Sequence, residues 1–134
     1  MLNVKLPHLD AWTAGRQRNA AFYDAAFARA QLGSALRTPH VPPGVRHIFN
    51  QYGVRVRERD ALRRHLADAG VGTEIYYPVP LHLQQCFAYL GHRSGDFPQS
   101  ELAAAQTLAL PIYPELTETQ LQYVVDSIAA RYRN

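Results

Sequence analysis

Only one cysteine, Cys86, and only one lysine, Lys5, occur in the 134 residues. A single thiol closes no intramolecular disulfide, whereas a disulfide-built secreted scaffold needs several, so a reducing, cytoplasmic setting is expected. A single amine leaves one candidate for any chemistry that needs a lysine nucleophile. No apolar run approaches the roughly 20 residues of a membrane helix. The opening MLNVKLPHLD has neither the basic start nor the apolar middle of a secretion signal, so neither membrane insertion nor export is expected. The 8 glycines are dispersed and form no phosphate-cradling loop. The histidines His8, His40, His47, His65, His82 and His92 include no pair at helical i, i+4 spacing and no neighbouring cysteine cluster, which speaks against a metal centre. Cys86 falls on the apolar side of an expected helix, where a thiol is a small buried hydrophobe rather than a nucleophile. Motifs alone therefore give no catalytic residues, no cofactor-binding set and no metal ligands.

What is present suits one globular domain. The chain is 47% hydrophobic and 19% charged, and a domain of this length buries roughly two-thirds of its unfolded surface without staples. Net charge is +3. The densest basic group, Arg55, Arg57, Arg59, Arg63 and Arg64, has no interleaved aromatics to stack bases, so it reads as a solvated strand end and helix face, and no nucleic-acid partner is expected.

Residues 8–32 carry Leu9, Trp12, Tyr23, Ala26, Phe27 and Ala30 at helical spacing, with Gly33 as the stop. A proline-rich loop follows. HIFNQYGVRV alternates, with Ile48, Tyr52, Val54 and Val56 on one face and Phe49, Gln51 and Arg55 on the other, and predicts a strand. RERDALRRHLADAG predicts a helix striped by Leu62, Leu66 and Ala69 and ended by Gly70. VGTEIYY predicts a second strand, and LHLQQCFAYLG a short helix with Leu83, Cys86, Phe87 and Leu90 on one side. Pro98 suits the first turn of a helix over QSELAAAQTLA that ends before Pro111. The last helix is best signalled: Thr117 and Gln120 form a capping box, Leu116 and Leu121 a hydrophobic staple, and Leu121, Val124, Val125 and Ile128 the buried stripe. This order gives an α+β domain, a small sheet covered by helices.

The segment GTEIYYPVPLHLQ stands apart. Pro78 and Pro80 remove two amide donors and hold the backbone extended. Tyr76 and Tyr77 then project to opposite faces at a strand end, and His82 follows the bend. Phenols and an imidazole on a rigid elbow suit a ligand with hydroxyls or phosphates; a packed aromatic pair beside a proline turn would use the same residues.

KLPHLDAW, HIFNQYGVRV, VGTEIYYPVPLHLQQCFAYLG, DFPQSELAAAQTLALPIYPELTETQ and VVDSI, in that order, resemble the C-terminal portion of the DegT/DnrJ/EryC1/StrS family of sugar aminotransferases. The resemblance implies the small domain of an aspartate-aminotransferase-type fold, spanning 1–134 with a long lead-in helix over about 1–32. It implies pyridoxal phosphate as the cofactor of the complete enzyme, glutamate as amino donor, a nucleotide-linked keto sugar as substrate, and a homodimer. Tyr76 and Tyr77 match the position where the family's small domain approaches the substrate; His82 and Asn50 are further candidates for the same pocket. The Schiff-base lysine, the phosphate-binding turn and the aspartate partner of the pyridine nitrogen belong to a large domain with no counterpart here, and Lys5 matches a helix position instead. The chain is therefore expected to be inactive alone and to bind no cofactor stably. The other reading is a stand-alone binding module that kept the fold and lost catalysis. An exposed apolar patch is expected along the first helix, at or near Trp12, where a large domain or dimer partner would lie.

Overall fold

The computed structural model describes residues 2–133, so both ends of the expected 1–134 domain lie outside the described residues. A short helix α1 (Leu2–Lys5) and a 3-10 turn (Leu6–His8) lead into α2 (Leu9–Ala30), then β1 (Leu36–Arg37), β2 (Tyr52–Val56), α3 (Arg59–Asp68), α4 (Pro98–Gln106), β3 (Thr107–Leu110) and α5 (Glu118–Arg133). The strands form one antiparallel sheet in the order β1-β2-β3. The fold is α+β, as expected, but the expected continuous lead-in helix is broken at Leu6–His8, where Pro7 occupies the first turn of the 3-10 segment.

Alternation along β2 divides the structure into two layers. Tyr52, Val54 and Val56 are buried beneath α2, α3 and α5, packed with Tyr23, Phe27, Leu62, Leu66, Leu121 and Ile128. Full burial of a leucine such as Leu62 or Leu66 contributes roughly 1.5–3 kcal/mol. The opposite face carries Gln51, Gly53 and Thr107, covered by α4 and by residues 75–84. Arg59, read from sequence as part of a solvated face, joins the layers. Its guanidinium donates to the carbonyls of Ala104 at 3.0 Å and Thr107 at 3.2 Å, where α4 becomes β3.

Helix ends follow local chemistry. Thr117 and Gln120 make the expected capping box at the start of α5: the Thr117 N–H donates to Gln120 Oε1 at 3.0 Å and the Gln120 N–H to Thr117 Oγ1 at 3.3 Å. α3 closes in a Schellman motif, with the Val71 N–H on Leu66 O and the Gly70 N–H on Ala67 O while Gly70 takes φ +74°. α2 stops earlier than Gly33, at Gln31, itself left-handed with φ +52°.

Further expectations fail in three segments. TLAL is strand β3, not the end of a helix: Leu108 and Leu110 pair with Val54 and Tyr52 and fill the core. VGTEIYY makes only one bridge, Glu74 to Ala109, before the prolines end its donors. LHLQQCFAYLG forms two 3-10 turns, Leu81–Leu83 and Gln85–Leu90, split by extended Gln84. Cys86 is exposed there rather than buried, because this segment sends no side chain into the core. Among the described residues no helix is long and apolar enough to cross a membrane, and no group of His, Cys, Asp and Glu is placed to hold a metal.

Candidate functional site

A hollow of about 770 Å³ forms an open cleft beside β3. Its floor is apolar, with Val71, Leu110, Ile112 and Val124, and its polar rim includes Asn50, Glu74, Tyr76, Tyr113, Gln120 and Tyr123. Each wall is fixed by backbone chemistry.

Asn50 sits on a pinned turn. Arg16 Nε donates to Ile48 O and Gln17 Nε2 to His47 O, both at 2.9 Å, which fastens the turn to α2. The Phe49 N–H donates back to His47 Nδ1 at 2.9 Å. Phe49 is buried with φ +46°, left-handed backbone that a bulky side chain rarely adopts and that costs on the order of 1–3 kcal/mol. Its ring packs against His47 and Tyr52 at centroid distances of 4.3 and 6.1 Å, which hold the strained residue in place. Ile48, expected on one strand face with Tyr52, Val54 and Val56, is 48% exposed while those three are buried, since regular pairing starts only at Tyr52.

Tyr76 is set by the Glu74 bridge, in which the Glu74 N–H donates to Ala109 O at 3.1 Å and the Ala109 N–H to Glu74 O at 2.8 Å. The chain then runs through Pro78 and Pro80, leaving Tyr76 and Tyr77 52% and 76% exposed. Tyr76 lines both this cleft and a second hollow of about 320 Å³ under the proline elbow; Tyr77 lines only the second. The third wall, residues 111–113, is held from α2: Asn19 Nδ2 donates to Tyr113 O at 2.8 Å and the Tyr23 hydroxyl to Pro111 O at 3.0 Å.

The structure thus brings Asn50 and Tyr76 into one cleft, places Tyr77 next door, and leaves His82 outside both. The His82 side chain is 7% exposed, with Nε2 3.0 Å from Glu101 Oε1 and its ring 4.8 Å from that of Phe97. Glu101 also accepts from the Gly95 N–H at 2.8 Å and Ser94 Oγ at 3.1 Å. The Gly95 bond, with those from His82 and Ser94, holds its carboxyl below the usual glutamate range against the opposing effect of desolvation. In this structure His82 braces the 91–97 loop. Sequence reasoning missed Glu74, Tyr113, Gln120 and Tyr123. Tyr113 lies in the LPIYPELT stretch that carried the resemblance, whereas Tyr123 is on the exposed side of a helix read only for its buried stripe.

Among the described residues, no arginine, lysine or histidine lines the main cleft. Tyrosine hydroxyls and side-chain amides over an apolar floor suit a neutral, hydroxyl-rich ring better than a phosphate. Residues 1–129 match the model of the DegT/DnrJ/EryC1/StrS aminotransferase family. The chain belongs to this family. It is 46% identical over 134 residues to the pleiotropic regulatory protein of Geobacillus stearothermophilus, covering 100% of this chain and 36% of the relative. It is 37% identical over 129 residues to the dTDP-3-amino-3,4,6-trideoxy-alpha-D-glucose transaminase of Streptomyces venezuelae, covering 96% and 33%. The crystal structure of S. venezuelae DesV in complex with a ketimine intermediate superposes with a TM-score of 0.92 at 34% identity, covering 99% of this chain and 35% of that one. The chain spans about a third of the length of these relatives.

The family depends on pyridoxal phosphate, and the side chains of the cleft do not fit that cofactor. Its aldehyde needs an amine and its phosphate a cluster of donors. Lys5 is exposed at the end of α1 and lines neither hollow beside Tyr76, and the cleft rim carries no cation.

Proposed function

We propose that this chain is the small, C-terminal domain of a pyridoxal-phosphate-dependent aminotransferase that aminates nucleotide-linked keto sugars with glutamate as donor. Its share of the work is substrate recognition. The observation that carries the reading is the junction of Asn50 and Tyr76 on one cleft without cations, in a chain that superposes at TM-score 0.92 on S. venezuelae DesV in complex with a ketimine intermediate. The sugar ring rests on the apolar floor, and the hydroxyls of Tyr76 and Tyr113 and the Asn50 amide surround it, while the Tyr123 hydroxyl, which donates to Ala69 O at 2.9 Å, is left to accept. Tyr77 serves the outer, nucleotide side. His82 acts at one remove, by bracing the loop behind the proline elbow. Cofactor, Schiff-base lysine and proton transfer belong to a large domain that packs over the apolar surface of α1 and the start of α2. Leu2, Val4, Leu6 and Leu9 are 82%, 74%, 66% and 48% exposed there, while Trp12 is half-buried with its ring 5.6 Å from that of His8. The other reading, a binding module without catalysis, draws support from the regulatory name of the 46%-identical relative.

Two measurements on the purified chain test this. Titration with pyridoxal phosphate followed by desalting should leave no visible-range imine band, and glutamate should support no transamination. A stoichiometric band abolished by Lys5→Ala would overturn the assignment of chemistry to another domain. Saturation-transfer NMR with dTDP-glucose should show the sugar protons in contact, with loss in Tyr76→Ala; contact that survives both Tyr76→Ala and Asn50→Ala would remove the cleft from the substrate site.

A further inference from the structure

At the opposite edge of the sheet, β1 pairs with β2 so that Arg37 lies directly across from Arg55. Like charges facing each other on adjacent strands destabilise a sheet. Arg57, two residues beyond Arg55, brings a third guanidinium to the same side, its Nη2 donating to Ser34 Oγ at 2.6 Å. The three arginines and Ser34 line a hollow of about 230 Å³ together with Gln106 and Leu102. Elsewhere this chain neutralises structured arginines: Arg46 pairs with Asp10, Arg59 with Asp60 and Arg131 with Glu58. Arg37, Arg55 and Arg57 have no such partner among the described residues, and no carboxylate lines their hollow.

The geometry points to an anion site, a phosphate-type oxyanion held between Arg37, Arg55 and Arg57. Guanidinium forks match phosphate oxygens two at a time, and the Ser34 hydroxyl and Gln106 amide add neutral donors. Arg55 is half-buried, so part of its charge is withdrawn from solvent screening and gains most from a bound counter-ion. The hollow holds one oxyanion with a few waters, each of which takes about 30 Å³. It shares no residue with the main cleft and lies at the other end of β2. An edge strand guarded by charge would also carry arginines, but such an edge responds to ionic strength and not to the kind of anion.

The test uses inorganic phosphate. Thermal unfolding of the chain should shift upward along a saturating curve in phosphate, well beyond the shift in chloride at equal ionic strength, and the 31P resonance should broaden as protein is added. Arg55→Gln and Arg37→Gln should each lose the phosphate-specific shift. Because each also relieves the facing charges, neither should melt below wild type in chloride; should Arg55→Gln fail to fold, the exposed Arg37→Gln decides alone. Arg63→Gln, on α3 outside the hollow, should keep the full response. An arm with ribose 5-phosphate separates sources: saturation at lower concentration than phosphate assigns a monoester, and equal or weaker saturation assigns the free ion. Equal stabilisation by chloride, or a phosphate shift that persists in both variants, overturns the site.

Discussion

Replacing Gly15 by alanine sets two opposing effects against each other. In a helix interior, alanine is favoured over glycine by about 1 kcal/mol, because it leaves the unfolded chain less freedom to lose. At this position, however, the new Cβ would stand 2.5 Å from Pro114 Cβ, 3.0 Å from its Cα and 3.3 Å from its carbonyl oxygen. Ordinary carbon contacts are about 3.5–4.0 Å, so α2 and the 111–114 segment must separate by about 1 Å. The obstacle is a proline ring and backbone, which cannot swing aside as a flexible side chain would. Overpacking costs typically about 1–3 kcal/mol, and a rigid neighbour puts this case at the upper end. The expected net loss is about 1–2 kcal/mol, a fall in melting temperature of roughly 3–8 °C for a domain of this size. Urea unfolding followed by far-UV circular dichroism should show a lower midpoint with an unchanged slope. Ala25→Gly, on the exposed side of the same helix, measures the propensity effect alone and should lose about 1 kcal/mol. A Gly15→Ala chain as stable as wild type, or more so, would refute the close approach.

Tyr52→Phe removes a buried hydroxyl that donates to Asp24 Oδ1 at 2.6 Å. A bond to a charged group is worth roughly 1.5–3 kcal/mol. Water can reach the exposed Asp24 afterwards, so a loss of about 1–2 kcal/mol in urea unfolding is expected. Burial raises the pKa of both Tyr23 and Tyr52, with the Asp24 bond adding to the shift at Tyr52. For a raised pKa the stabilisation is complete below the unfolded tyrosine value of about 10 and disappears as pH rises beyond it. The chain should therefore lose stability progressively above that pH, less steeply in Tyr52→Phe; a flat alkaline limb in the wild type would contradict the burial. Glu101→Gln should loosen the 91–97 loop and speed proteolysis within it while leaving the core melt nearly unchanged. The Glu101 pKa is lowered, first by the Gly95 bond, so wild-type protection should hold above the usual glutamate range and fade as pH falls through the lowered value. Protection that is independent of pH in this range would argue against the Glu101 clamp.

Elements bounded by strong local chemistry were legible from the sequence. The α5 capping box and the Gly70 stop are satisfied by groups within a few residues, so they survive any tertiary arrangement. Strand β3 was not, because its four residues follow a run of alanines with high helical preference, and only pairing with Tyr52–Val56 decides the outcome. The 81–90 segment failed for the complementary reason. It carries helical periodicity, but a short helix with no core to cover is marginal, and its apolar side chains stay largely outside. In the site, the proline elbow was visible because proline restricts its own backbone. The partners of Tyr76 were not, since Tyr113 and Tyr123 reach the cleft only through long-range docking. His82 shows the limit of proximity in sequence: a few residues from Tyr77, it turns away from the cleft to meet Glu101.

The polar residues of α2 account for how these distant pieces meet. Arg16, Gln17, Asn19 and Tyr23 each donate to a loop carbonyl: those of Ile48, His47, Tyr113 and Pro111 respectively. In sequence, Arg16, Gln17 and Asn19 lie outside the apolar pattern of the helix. In the structure they and Tyr23 satisfy backbone acceptors of two loops that would otherwise have to find water, and those loops form the Asn50 wall and the Tyr113 wall of the cleft. Because one rigid helix holds both walls, a displacement of α2 moves them together and preserves the spacing between Asn50 and Tyr113. The Tyr76 wall hangs on β3 through the Glu74 bridge and has no bond to α2 among those four. A shift of α2 relative to the sheet would therefore open or close the cleft along one direction, between Tyr76 on one side and Asn50 with Tyr113 on the other. Gly15 sits at the contact between α2 and Pro114, next to Tyr113, which makes it a determinant of where the Tyr113 wall stands as well as of stability.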